Sequence, residues 1–110
     1  MERTHIDGDL DSFLQKGKIM VFSATYCPYC VMAKKALEDM GCNYEYIEMD
    51  ENPITEYQAR RLRELSGIKT IPNIFIGKTS IGGFSDLLKL RKNGELKNIL
   101  KDNNVTCTKI

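Results

Sequence analysis

The stretch Ile19-Met20-Val21-Phe22-Ser23-Ala24-Thr25-Tyr26-Cys27-Pro28-Tyr29-Cys30 decides how the rest of the chain is read. Its first five residues are an apolar, partly β-branched run and read as a buried strand. Its last four place two thiols three positions apart around Pro28-Tyr29. Beyond them Ala33, Ala36, Leu37 and Met40 recur at helical spacing, with Lys34, Lys35, Glu38 and Asp39 on the opposite face. Proline has no N–H to lose at the first helical position, so Pro28 suits a helix start, which puts Cys27 at the N-cap and Cys30 one turn in. The thiolate is the reactive form of cysteine. A free thiol holds its proton up to about pH 8.5, and a helix N-terminus can bring that down to about 3.5–7.5, because unpaired N–H groups and the helix dipole favour a negative sulfur. Residues three apart share a helix face, so a disulfide between the two closes a small ring without moving the fold. On the residues alone, inert core cysteines and zinc ligation stand beside this redox reading. Zinc would need two more Cys or His at matching spacing, and only the isolated Cys42, Cys107 and His5 remain.

Composition narrows the class. The chain has 110 residues, 42% hydrophobic, enough for one domain with a modest core, and its formal charge is +1 with Lys and Arg dispersed. No basic field points to nucleic acid, no apolar run approaches the ~20 residues of a membrane helix, and the start Met1-Glu2-Arg3-Thr4-His5 lacks a signal-peptide core. The expectation is a cytosolic chain whose four cysteines are catalytic or free.

Taken in order, Leu10, Phe13 and Leu14 give one stripe of a short N-terminal helix that Gly17 ends. Strand one spans about 18–24, and the cysteine-bearing helix runs to Gly41, a C′ residue. Asn43–Met49 reads as a second strand, and the intervening helix makes the two strands parallel. Asn52-Pro53 opens a second helix with Ala59, Leu62 and Leu65 inward and Arg60, Arg61 and Arg63 mostly toward water, closed by Gly67. Ile74-Phe75-Ile76 and Thr79-Ser80-Ile81 flank Gly77-Lys78 as a hairpin. Gly77-Lys78-Thr79 lacks the preceding glycine of a phosphate loop, since Pro72 stands there. Ser85–Lys92 and Glu95–Lys101 read as two short helices, followed by a frayed polar tail. Cys42 reads as a small packing residue. Cys107 reads as exposed in the tail, where oxidation could link two chains.

Three motifs in this order, Cys27-Pro28-Tyr29-Cys30, Lys69-Thr70-Ile71-Pro72-Asn73-Ile74-Phe75-Ile76 and Gly82-Gly83-Phe84-Ser85-Asp86-Leu87, make the sequence similar to the dithiol glutaredoxins over nearly its whole length. The resemblance implies a single glutaredoxin domain over 1–110, with about 1–6 and 103–110 as flexible tails. It implies a thioredoxin-like α/β fold, a four-stranded mixed sheet flanked by about five helices, and a monomer. It implies glutathione as reductant, no metal, and glutathionylated proteins and small disulfides as substrates. Glutathione reductase and NADPH would act indirectly. Carried onto this sequence, Cys27 is the exposed nucleophile and Cys30 its partner in a redox-active disulfide. Tyr29 flanks the bound sulfur and Lys69 pairs the glycyl carboxylate. Pro72 resembles the family's cis proline, which frees the Ile71 backbone, next to Thr70, to bond the tripeptide. Gly83, Ser85 and Asp86 take the γ-glutamyl end. Ala24 departs from the family, many members of which have a lysine there. Because a cation at that place would favour both thiolate and glutathione, two alternatives stay open: a thioredoxin-type reductase independent of glutathione, and an iron–sulfur cluster carrier.

Overall fold

The structure is a computed structural model and describes residues 9–110; His5 and the expected flexible tail at 1–6 lie outside the described residues. Four strands, β1 (Ile19–Ser23), β2 (Glu45–Glu48), β3 (Asn73–Ile76) and β4 (Thr79–Gly82), form one sheet in the order β2-β1-β3-β4. β1 runs parallel to β2 and antiparallel to β3, and β3 and β4 form the antiparallel hairpin. Four α-helices, α1 (Pro28–Asp39), α2 (Glu56–Ser66), α3 (Phe84–Lys92) and α4 (Glu95–Asp102), and a 3-10 turn at Leu10–Phe13 stand where about five helices were expected. The result is the mixed sheet of the thioredoxin-like fold.

β1 is buried throughout, and apolar up to Ser23, because it is central and covered on both faces. Its alternation splits two cores. Ile19 and Val21 join Ala33, Leu37, Ile74, Ile76, Leu87 and Leu96 beneath α1, α3 and α4. Met20 and Phe22 join Leu10, Leu14, Ile47, Leu62 and Phe75 on the other side, beneath α2. Phe22 meets Phe75 edge to face at 5.9 Å.

α1 ends as a Schellman turn. The Gly41 N–H donates to the Glu38 carbonyl and the Cys42 N–H to the Leu37 carbonyl, with Gly41 at φ 71°. α2 begins later than Asn52-Pro53: Thr55 caps it, its hydroxyl accepting from the Gln58 N–H at 3.0 Å while Gln58 Oε1 accepts from the Thr55 N–H at 2.9 Å. Two charges expected to face water are tied down. Arg61 forks onto Asp11 at 2.8 and 2.7 Å, joining α2 to the 3-10 turn and holding the Asp11 carboxyl below its usual range. Lys34 bonds the buried Glu48 at 2.6 Å and lies 4.3 Å from the Tyr46 ring centroid.

The expectation of a frayed tail is corrected. Asn103, Val105 and Cys107 are buried, and the Asn103 amide donates to the Ile99 carbonyl and the Thr79 hydroxyl. Cys107 is joined to Cys42 by a disulfide within the chain, so neither the free-cysteine reading nor the link between two chains holds. The two residues lie 65 positions apart, and no local pattern in the sequence brings them together. Among the described residues, no helix is long and apolar enough to cross a membrane.

Candidate active site

The end of β1, the start of α1, the segment before β3 and the start of α3 meet at one place. Cys27 is the N-cap of α1 and Pro28 its first residue, as the sequence reading expects. The cap geometry turns the Cys27 sulfur back over the first turn, where it accepts the Cys30 N–H at 3.2 Å. That contact aims an N–H dipole at the sulfur that would carry charge. It also corrects one expectation: Cys27 is not exposed. Only 8% of the residue reaches solvent, since its sulfur is folded under the cap and lies 3.9 Å from the Ile71 carbonyl.

Cys30 is fully buried. Burial pushes its thiol up to about 11, the contact with Cys27 adds to the rise, and the Ala24 backbone and the Ser23 hydroxyl pull the other way. Ser23 Oγ is buried beside this site without a hydrogen-bond partner. Both thiols are free, and with Ala24 and Ile71 they form a small apolar cluster of their own.

Beside this cluster is a cavity of about 290 Å³. It brings together Tyr29, Thr70, Ile71, Pro72, Gly83, Ser85 and Asp86, seven of the residues picked out in the sequence. Lys69 is exposed and not among the lining residues, although its neighbours Ile68 and Thr70 are. Sequence reasoning missed Ile68 and Phe84. Phe84 lies within the third motif, and its ring stands 6.3 Å from that of Tyr29, forming an aromatic wall. The Ile71–Pro72 peptide bond is cis. Asp86 Oδ2 accepts the Gly83 N–H at 2.9 Å, so the carboxylate caps α3 from within. Gly82 must be glycine twice over. Its φ is 91°, and a Cβ would stand 2.3 Å from Asp86 Oδ2.

The β1–α1 connection is held from β2. Asp50 accepts the Thr25 N–H at 3.0 Å and also the Thr25 hydroxyl, while the Met49 N–H donates to the Ser23 carbonyl at 2.8 Å. A larger groove of about 690 Å³ lies at the far end of α1, between Lys34, Cys42, Tyr44 and Lys109. Ile71, which packs against the two free thiols, lines the smaller cavity and not this groove, so the smaller cavity is the candidate for thiol chemistry. Among the described residues, no three His, Cys, Asp or Glu side chains gather as metal ligands would.

This arrangement has close counterparts. The glutaredoxin family model matches residues 19–81. Glutaredoxin-C2 of Arabidopsis thaliana is 38% identical over 84 residues, covering 76% of each chain. Glutaredoxin-1 of Rattus norvegicus is 37% identical over 91 residues, covering 80% of this chain and 85% of the relative. Among solved structures, the glutaredoxin–glutathione complex of buckwheat superimposes with a TM-score of 0.77 at 30% identity, covering 88% of both chains. The dithiolic glutaredoxin 2-C-Grx1 of Trypanosoma brucei brucei superimposes with a TM-score of 0.74 at 33% identity, covering 86% of this chain and 97% of the other.

Proposed function

The chain belongs to the glutaredoxin family, whose chemistry is thiol–disulfide exchange, and from that premise we propose that it reduces protein–glutathione mixed disulfides with glutathione as electron donor. The observation that carries the reading is the position of the Cys27 sulfur, held by the Cys30 N–H and lying 3.9 Å from the carbonyl of Ile71, a residue that lines the Tyr29–Ile71–Asp86 cavity. Glutathione is a small γ-linked tripeptide with two carboxylates and one ammonium. The start of α3 offers backbone N–H groups to one carboxylate and the Asp86 carboxylate to the ammonium. The Ile71 backbone takes the middle of the ligand, and Lys69, exposed between the lining residues Ile68 and Thr70, takes the other carboxylate.

In the first step the Cys27 thiolate attacks the glutathione sulfur of the mixed disulfide. The substrate leaves as its thiolate and takes a proton, and Cys27 carries glutathione. A second glutathione thiolate attacks that sulfur, releasing oxidised glutathione and restoring the Cys27 thiolate. Two glutathionyl units thus leave as one disulfide, and the substrate gains two electrons. Burial holds Cys30 as the thiol. Its attack on the Cys27–glutathione bond, which would close Cys27–Cys30, is therefore the slower branch. The reading carries with it a compartment rich in glutathione, such as the cytosol, and a monomeric enzyme.

The test is NADPH consumption coupled through glutathione reductase, with a small glutathione mixed disulfide as substrate. Cys27→Ser is expected to lose turnover entirely and Cys30→Ser to keep at least half. Absence of glutathione-dependent turnover in the wild type would overturn the reading in favour of a reductase served by another donor.

A further inference from the structure

Cys42 and Cys107 take no part in the steps above. They face each other across an isolated antiparallel bridge, with Cα atoms 4.2 Å apart, and join residues 65 positions distant. Around them the tail is fitted to the end of α1. The Thr108 N–H donates to the Gly41 carbonyl at 3.1 Å and the Lys109 N–H to the Met40 carbonyl at 2.9 Å. These bonds satisfy carbonyls at the C-terminal end of the helix. The fit depends on Gly41, where a Cβ would stand 2.2 Å from Thr108 Oγ1 and 3.0 Å from the Lys109 nitrogen. Val105 anchors the same segment in the core with Leu96, Leu100 and Tyr44.

We propose that Cys42–Cys107 is a second redox centre, a covalent latch on residues 103–110 that opens only at a more reducing thiol poise than the one that reduces Cys27–Cys30.

The two pairs are built for opposite equilibria. At the start of α1 the fold favours the open form: the Cys27 sulfur receives an N–H, and Cys30 is buried as a thiol. At the end of α1 the fold favours the closed form. The backbone bonds and Val105 hold the two cysteines together before any bond forms, which raises the effective concentration of one sulfur at the other. With the latch open, each transient release of the tail uncovers Val105 and frees the carbonyls of Met40 and Gly41.

A small thiolate reaches Cys42 from the groove that this residue lines with Lys34, Glu38, Tyr44 and Lys109. Attack at the Cys42 sulfur forms a mixed disulfide and expels the Cys107 thiolate, which takes a proton from water. A second thiolate attacks the small-thiol sulfur of that mixed disulfide and releases the Cys42 thiolate. The latch gains two electrons, and two small thiols leave as their disulfide. The tail, with a free Cys107, is then held by hydrogen bonds and Val105 alone.

This inference does not rest on the glutathione-reducing activity, and its test reads thiols rather than turnover. The intact protein is equilibrated in glutathione buffers of increasing ratio of reduced squared to oxidised glutathione, quenched in acid, labelled with a mass-tagged maleimide and mapped by peptide. Cys27 and Cys30 are expected to label first. Cys42 and Cys107 are expected to label together, at a ratio at least tenfold higher, and tryptic cleavage after Lys101 to speed up about tenfold over the same step. Free Cys42 and Cys107 at every ratio, titration of this pair with or before Cys27–Cys30, or unchanged cleavage on reduction would each overturn the proposal. Gly41→Val keeps all four cysteines but crowds Thr108 and Lys109. It is expected to move the Cys42–Cys107 midpoint to a less reducing ratio while leaving that of Cys27–Cys30 in place, and an unmoved midpoint would count against the latch.

Discussion

The two ends of α1 treat sulfur differently, although both are helix termini and both bring two cysteines together. At the N-terminal end the cysteines are neighbours in sequence, and the helix stabilises them apart, one sulfur under an N–H and the other buried as a thiol. At the C-terminal end the cysteines are distant in sequence, and the fold holds them together through a glycine, two backbone bonds and an apolar anchor. What separates an exchangeable pair from a locking one is thus whether the surrounding backbone favours the thiols or the bond. Cysteine spacing does not decide it.

The comparison can be broken most directly by deleting one lock sulfur. Cys107→Ser should cost about 2–4 kcal/mol, because the closed loop spans 65 residues, and so lower Tm by roughly 8–16 °C at about 4 °C per kcal/mol. Calorimetry without reductant checks this, and Cys30→Ser should shift Tm by only a fraction of that amount. Equal shifts for the two variants would erase the distinction.

Asp86→Ala sharpens the picture at the other end. It removes a carboxylate from the cavity and the cap of α3 together. KM for glutathione should rise about tenfold, the effect of roughly 1.4 kcal/mol, with a stability loss of about 1 kcal/mol from the cap. Initial rates at varied glutathione, paired with a melt, separate the two.

Alkaline titration isolates Cys30. Its folded value lies above its unfolded value, so the stability it contributes is complete below about pH 9 and is lost as pH rises through about 11. Urea midpoints of the wild type should therefore fall across pH 9–11 more steeply than those of Cys30→Ser. Parallel curves would mean that burial does not hold the thiol protonated.

The smallest effect is expected from Ala24→Lys. Ala24 packs against Cys27, Cys30 and Ile71. A cation beside the sulfur should raise kcat/KM for glutathione about threefold at low salt, less at high salt, as the coupled assay would read.

Much of this was legible in the sequence. The uniform burial of β1, the N-cap placing of Cys27 and the hairpin at Gly77-Lys78 all follow from local pattern, since each depends on residues within one or two turns of one another. The resemblance to the glutaredoxins added the cavity, bringing Thr70–Pro72 to Gly83–Asp86. Three things were not legible. The burial of Cys27 depends on how a cap folds a side chain back. The partners of Lys34 and Arg61 are acids on other elements, Glu48 and Asp11, which helical periodicity cannot name. The tail looked loose because its composition is polar, yet a single Val105, one disulfide and three hydrogen bonds to residues 40–41 seat it.

The docking of the last residues also sets where a second domain could be attached. Ile110 follows directly on the strand-like segment at the far end of α1, and that helix is 12 residues long, or roughly 18 Å at 1.5 Å per residue. A reporter fused after Ile110 by a short linker would start about one helix length from the reacting sulfur, on a base fixed by the Cys42–Cys107 bond. The chain thus offers a ready mount for an optical sensor, and reducing the mount would lengthen the tether by the whole released tail.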